Sequence, residues 1–130
     1  LCGVEEERHL ANHPLRGHLF ENLVVADLLK QRFNRGRDNR LSFYRDSSGQ
    51  EVDLLYPIGP DLLPVEIKAG QTVSSDWFKG LNAFAKVRTD SGPAGLIVYG
   101  GDQTQHRTKG TITGIAGMTA EIAELAKSQK

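Results

Sequence analysis

Apolar residues recur along the chain with two different periods, which separate helical segments from strands. Between residues 15 and 33 they recur every three or four positions, so a first helix with a broad apolar face is predicted there. The same period predicts a second helix over residues 76–87 and a short amphipathic helix over residues 119–127. The apolar positions of the first two helices are Leu15, Leu19, Leu23, Phe20, Val24 and Leu28, and then Trp77, Phe78, Leu81, Phe84 and Ala85.

Short segments with strand character fill the rest of the chain. They are residues 41–45, 50–56, 62–69 and 94–99, with a weaker strand within residues 107–115. The first three are separated only by turns and should form an antiparallel meander, whereas the fourth follows a helix and should lie parallel to one of them. The predicted fold class is therefore α/β: a mixed sheet with an α-β-β-β-α-β core flanked by helices, plus a weak extra strand and a C-terminal helix.

The length and the ends of the chain bear on its domain organisation. A chain of 130 residues is expected to form a single domain, here with residues 1–13 as a polar lead-in. The chain opens at Leu1 rather than Met, so we expect it to be a fragment of a longer protein.

Composition excludes several classes of protein. Sixteen basic and sixteen acidic residues give a formal net charge of zero, which argues against a strong non-specific grip on nucleic acid by this chain alone. The single cysteine, Cys2, excludes a disulfide framework and a cysteine-based zinc site. No apolar run is long enough to cross a bilayer and no signal-peptide pattern is present, so a cytoplasmic protein with no membrane partner is expected.

The most distinctive chemistry lies on the second and third predicted strands. Glu66 and Lys68 are two residues apart and should project from the same side of a strand, and Asp53 can lie beside Glu66 if the two strands pair. Asp53 and Glu66, with a backbone carbonyl such as that of Ile67, would suit Mg²⁺ or Mn²⁺, and Lys68 could polarise an attacking water. The alternative is a solvated strand face with a surface salt bridge from Asp53 to Lys68.

Glu21 and a basic run after the first helix each allow two interpretations. Glu21 lies on or near the apolar side of the first helix, where an acid needs a partner, unless it sits at the border and reaches solvent. A basic run follows this helix and could contact phosphates, or it could be a solvated helix end whose cations suit the helix dipole. Its arginines are Arg32, Arg35, Arg37 and Arg40.

A nucleotide site is not expected in this chain. The sequence contains no Gly-x-x-x-x-Gly-Lys-Ser/Thr loop, and the pair Gly100-Gly101 lacks both the lysine and the following helix that a phosphate cradle needs.

Four short motifs, in this order, resemble a known superfamily. They are Arg-Gly-x-x-Phe-Glu ending at Glu21, Tyr44-Arg45, Glu51-Val-Asp53 and Glu66-Ile-Lys68. Together with the element order they resemble the PD-(D/E)xK nuclease superfamily, which has the restriction-endonuclease-like fold. More narrowly, they look like the domain of unknown function at the C-terminal end of a group of prokaryotic AAA+ family ATPases.

The resemblance implies roles for four residues. Asp53 and Glu66 would bind the metal, Lys68 would activate water or neutralise charge, and Glu21 would complete the site. The implied function is Mg²⁺-dependent hydrolysis of DNA phosphodiesters by a C-terminal part of an ATPase-containing protein, and the alternative is a catalytically silent module for DNA binding or protein interaction. DNA, the ATPase portion of the full-length chain and a second copy in a homodimer are the implied partners.

Overall fold

A computed structural model describes residues 14–34 and 41–127. The chain divides into two compact units, Leu1–Asn39 and Arg40–Lys130. The lead-in predicted over residues 1–13 lies outside the described residues. Within the described ranges, no helix combines the length and the apolar character that crossing a membrane requires.

The described part of the first unit is one long helix, α1, Pro14–Asn34. It confirms the predicted helix, but only part of its apolar face is buried. Val24 and Leu28 are fully buried, whereas Leu19 and Leu23 are 51% and 57% exposed. The apolar face is therefore only partly buried, and the row that contains Leu19 and Leu23 is exposed.

The second unit is built on a six-stranded mixed sheet in the order β1-β2-β3-β4-β6-β5. β1 to β3 form the predicted antiparallel meander, and β4 lies parallel to β3, as predicted for a strand that follows a helix. The strands are β1 Ser42–Arg45, β2 Glu51–Ile58, β3 Asp61–Lys68, β4 Leu96–Tyr99, β5 Gln105–Arg107 and β6 Gly110–Gly114.

The last part of the sheet differs from the prediction of one weak strand. Two strands form there: β6 lies parallel to β4 and is buried throughout, and β5 folds back antiparallel along the outer edge of β6. β6 begins at Gly110, whose φ of 150° suits glycine better than any other residue. The exposed polar residues of β5 gave no apolar signal, so sequence patterning missed this strand.

Two α-helices lie in the described part of this unit, residues 41–127. A 3-10 turn over Ser75–Phe78 is capped by Ser74 and leads directly into helix α2, Lys79–Val87. Helix α3, Ile115–Lys127, begins earlier than the predicted residue 119. Ala85, predicted on the apolar face of α2, is exposed, and the buried residues of this helix are Gly80, Leu81 and Phe84.

The core forms where α2 packs on the sheet. Its buried members are Val52, Leu55, Phe78, Leu81, Phe84, Ile97, Tyr99 and Ile112. Trp77, one of the predicted apolar positions, is partly buried against this cluster and meets the Tyr99 ring edge to face, with ring centroids 6.1 Å apart. All four residues of β4 are buried, as expected for a strand covered on both faces.

Candidate functional site

The hydrogen bonding between β2 and β3 changes at Asp53 from backbone pairs to bonds that side chains accept. Backbone pairing runs regularly from Ile58 and Asp61 to Leu54 and Val65. Beyond that point two side-chain carboxylates accept the hydrogen bonds between the strands. The Asp53 N–H donates to Glu66 Oε1 at 2.8 Å, and the Ile67 N–H donates to Asp53 Oδ2 at 2.8 Å. Each acidic side chain therefore stands where a backbone acceptor of the other strand would be.

The pairing between β1 and β2 is irregular at the same place. Ser42 pairs with Leu55 but Tyr44 pairs with Val52, so β2 carries one extra residue between these pairs. Such bulges bend a strand and re-aim its side chains. The bulge includes Asp53, and it explains how β2 can present this carboxylate toward β3.

Lys68 lies on the same face of the sheet as Glu66. The two residues pair in register with Ile97 and Tyr99 of β4, both members of the core on the α2 side. Lys68 Nζ lies 3.8 Å from Glu66 Oε2, and Glu66 is only 5% exposed. The alternative of a solvated strand face is therefore wrong for Glu66, and the ion pair joins Lys68 to Glu66 rather than to Asp53.

Helix α2 covers Glu66 because its first turn contains Gly80. A Cβ at this position would overlap the Glu51 carbonyl oxygen and would lie 3.6 Å from the Glu66 Cδ atom. Only glycine permits so close an approach of helix to strand. Sequence reasoning did not single out Gly80, although a glycine inside a helical pattern signals a packing reason.

Burial makes both carboxylates resist ionisation. Desolvation, followed by the negative charge of Asp53, raises the pKa of Glu66 from 4.5 to about 7. Desolvation also raises the pKa of Asp53, although the Ile67 N–H and the charge of Lys68 act in the opposite direction. Perturbed acids of this kind are concentrated at functional sites, and a bound cation would favour their ionised forms.

Comparison with protein-family models assigns the chain to a family. The model described as "Domain of unknown function (DUF4143)" matches residues 16–118. The chain belongs to this family. The matched segment includes Asp53, Glu66 and Lys68. No curated protein and no solved structure matches the chain.

In this DUF4143 chain the carboxylate pair offers oxygen ligands to a hard cation. Asp53 Oδ1 and Glu66 Oε2 accept no hydrogen bond from the part of the chain that the structure describes. Mg²⁺ commonly takes one or two protein carboxylates and fills its octahedron with waters and substrate oxygens. The donor set therefore fits a magnesium ion, with Lys68 beside it.

A third acidic ligand is not found in residues 14–34 and 41–127, where no group of three or more histidine, cysteine, aspartate or glutamate side chains could hold a metal ion. Glu21 is exposed on α1, in the first unit of the DUF4143 chain. Ile67 contributes its N–H to Asp53, and the role of its carbonyl as a metal ligand stays a prediction.

The predicted phosphate-contacting arginines fall in the first unit or at its border. Arg32, in α1, is 8% exposed. Arg35, Arg37 and Arg40 lie outside the described residues, so their contact with phosphate stays a prediction.

Proposed function

We propose that the pair Asp53 and Glu66 binds Mg²⁺ or Mn²⁺ and that the chain hydrolyses DNA phosphodiester bonds. The observation that carries this proposal is the exchange of hydrogen bonds between the two strands. Each carboxylate is anchored through one oxygen to the backbone of the opposite strand, which leaves the other oxygen for a cation. The order of the acids and the lysine, which resembles the PD-(D/E)xK nucleases, supports DNA as the substrate.

The residues of the site would have different roles in the reaction. Asp53 Oδ1 and Glu66 Oε2 would hold the cation, and Lys68, 3.8 Å from Glu66 Oε2, would orient an attacking water or offset charge developing on the phosphate. A bound divalent ion supplies Lewis-acid polarisation of a phosphoryl oxygen. Glu21 lies in the first unit, and the catalytic role that the resemblance implies for it stays a prediction.

Cleavage of supercoiled plasmid and of single-stranded DNA, with Mg²⁺ or Mn²⁺, tests this function. Asp53→Asn and Lys68→Met should each reduce the rate by at least about 100-fold, because each removes a group that acts on the reacting phosphate. The matched control is the exposed pair Glu124 and Lys127 on α3, which has the same charges. Glu124→Gln and Lys127→Met should leave the rate unchanged, and equal rates in all four variants and the wild type would contradict the proposal.

A catalytically silent module of the same fold is the second candidate. The zero net charge and the presence of only two converging acids in the described ranges favour it. This candidate predicts that calorimetry detects no Mg²⁺ or Mn²⁺ binding and that contact with DNA or a protein partner survives Asp53→Ala. The ATPase portion of a longer chain and a second copy of this domain are the protein partners that we propose on the resemblance.

A further inference from the structure

The sheet divides into two arms at the carboxylate pair. β2 and β3 pair with each other in register only as far as Leu54 and Val65. The first residues of β2 remain paired with β1, where Arg45 lies opposite Glu51, and the last residues of β3 remain paired with β4 as far as Lys68. The salt bridge of Arg45 with Glu51 and the amine of Lys68 therefore lie at the same end of the sheet, on the two arms that enclose the carboxylates.

The guanidinium of Arg45 is held in place on one side and is free on the other. Its Nε and Nη2 atoms contact Glu51 Oε2 at 3.1 and 3.0 Å, and its central carbon lies 5.9 Å from the Phe43 ring centroid. The Nη1 atom donates to no acceptor among the described residues, and the side chain is 66% exposed. A planar guanidinium with a free edge is well suited to a phosphate group.

Arg45 projects from the face of the sheet that α2 does not cover. Tyr44 packs edge to face against an aromatic ring of α2, and side chains alternate along a strand, so Arg45 points the other way. On the face of α2, Gly80 lies against the Glu51 carbonyl, and Glu66 is only 5% exposed. Within the second unit, the open approaches to the carboxylates are therefore the end of the sheet and the face from which Arg45 projects.

Glu51 connects this arginine to the carboxylate site. It precedes Asp53 by two residues on β2, which is about 7 Å along a strand. After desolvation, which is the main cause, the negative charge of Glu51 also contributes to the raised pKa of Asp53 and of Glu66. Phosphates of one strand follow one another at about 3.4 Å along a duplex axis, so the distance from Asp53 to Glu51 spans only about two phosphates.

We propose that Arg45 binds a backbone phosphate next to the one held at the carboxylate site, an inference that rests on the proposed function. Glu51 orients the guanidinium through Nε and Nη2, which leaves Nη1 to donate to phosphate oxygens. The negative charge of Glu51 also weakens the attraction of Arg45 for an anion. The contact positions the nucleic-acid strand and carries no sequence preference.

Anisotropy of a fluorescently labelled single-stranded oligonucleotide across a salt series tests this contact. Ca²⁺, another hard cation with oxygen ligands, replaces Mg²⁺, and a gel checks that the oligonucleotide stays intact. Arg45→Gln should bind about tenfold more weakly at low salt, and the slope of log K against log salt should be smaller by about 0.7. Glu51→Gln should bind about threefold more tightly, because it removes the charge that competes with the phosphate.

The matched controls are Lys127→Gln and Glu124→Gln, which break an exposed pair of the same charges on α3. Both should leave the affinity and the slope unchanged. Urea denaturation should show all four variants unfolding with the wild type, since exposed pairs add little to stability. Wild-type binding by Arg45→Gln, weaker binding by both Arg45→Gln and Glu51→Gln, or no binding by the wild type would overturn the proposal.

Removing the cation tests whether Arg45 contacts the strand that the carboxylates hold. In EDTA the strand loses its attachment at Asp53 and Glu66, so the wild type and Arg45→Gln should bind almost equally weakly. An undiminished tenfold difference in EDTA would mean that Arg45 binds DNA independently of the carboxylates, and it would overturn the proposal.

Further outcomes separate this contact from a free-phosphate site and from hydrolysis. Full displacement of the oligonucleotide by inorganic phosphate at an equal phosphate concentration would identify a free-phosphate site and overturn the proposal. Ca²⁺-dependent binding that requires Arg45, without any cleavage in Mg²⁺, would support the contact while the proposed hydrolysis fails. Cleavage that requires Asp53, with unaltered binding by Arg45→Gln, would give the reverse result.

Discussion

Strand β3 is flanked by two acidic sites that are built in opposite ways. Near its start, Asp90 accepts from Arg88 at 2.9 and 2.6 Å and from the Leu62 N–H at 2.9 Å. The hydrogen bond from Arg88 holds the pKa of Asp90 well below its ordinary value. Near its end, Asp53 and Glu66 face each other with raised pKa values and only Lys68 for compensation.

The difference separates a structural site from a candidate functional site. Arg88 also donates to the carbonyls of Leu62 and Pro93 at 2.7 Å each, so charge and hydrogen-bonding capacity are matched within the clip formed by Arg88 and Asp90. A site whose charges and hydrogen-bonding groups are all paired stabilises the fold and has few free groups to bind a ligand. An unmatched pair costs stability when nothing is bound, which is typical of acids that act on a substrate or a metal.

Breaking the clip should produce the largest loss of stability. Arg88→Ala leaves Asp90, which is only 18% exposed, without its counterion and removes the donors to two backbone carbonyls. We expect the free energy of unfolding to fall by about 3–4 kcal/mol, as for other largely buried pairs that lose one partner. Urea denaturation at neutral pH measures the change.

The exposed pair of Arg45 and Glu51 is the control for this prediction. Their side chains are 66% and 50% exposed, so Arg45→Ala should change the free energy of unfolding by at most about 1 kcal/mol. Similar losses in the two variants would mean that the hydrogen bonds of Arg88 add nothing beyond an ordinary surface ion pair.

Adding one methyl group at Gly80 tests why the carboxylates are buried. A Cβ there would overlap the Glu51 carbonyl, so Gly80→Ala must push α2 away from β2 and from Glu66. We expect a loss of about 2–3 kcal/mol from overpacking, together with a pKa of Glu66 closer to its ordinary value as water reaches it. Urea denaturation and NMR titration of the Glu66 carboxyl measure the two effects.

Gly17 in α1 is the matched control, since a Cβ there meets no described atom within 4 Å. Gly17→Ala should stabilise the chain by up to about 1 kcal/mol, because alanine is the better helix former. If Gly80→Ala were also stabilising, the close packing of α2 on the strand would not be what limits this position.

Local pattern was sufficient for much of the fold and for the proximity of Asp53 and Glu66. Alternation along a strand placed Glu66 and Lys68 on one face, and the turns between β1, β2 and β3 indicated the meander. The burial of Glu66 could not be predicted in this way, because it depends on how closely α2 approaches the sheet at Gly80. Periodicity also placed Leu19 on the apolar face of α1, but helical spacing does not say how much of such a face is buried.

The hydrogen bonds of the two acidic sites were beyond sequence patterning for a different reason. The contacts of Asp53 with Ile67 and of Arg88 with Leu62 join residues that are distant in the chain. Arg88 and Asp90 follow the second helix in an ordinary polar turn, and nothing in that turn indicates which carbonyls lie within reach. A bulge that re-aims Asp53 is likewise a property of the pairing between strands rather than of one segment.

Neutralising Glu66 should change the free energy of unfolding by less than Arg88→Ala or Gly80→Ala does, and it should raise this free energy rather than lower it. The unfolded chain releases this proton near pH 4.5 and the folded chain near pH 7, so the folded state binds more protons in between and stability falls as pH rises through that window. Glu66→Gln removes the titration and keeps an oxygen that can accept from the Asp53 N–H. We expect the variant to match the wild type near pH 4.5 and to exceed it by about 2 kcal/mol near pH 8.

Urea denaturation in EDTA at several pH values measures this difference, with the exposed Glu124→Gln as the control for loss of a negative charge. Magnesium provides the reciprocal test, because a cation that binds only the folded wild type stabilises it by mass action. Adding Mg²⁺ above pH 7 should therefore narrow the gap between the wild type and Glu66→Gln. A gap that is independent of both pH and Mg²⁺ would mean that Glu66 is as well matched as Asp90, and the contrast between the two ends of β3 would disappear.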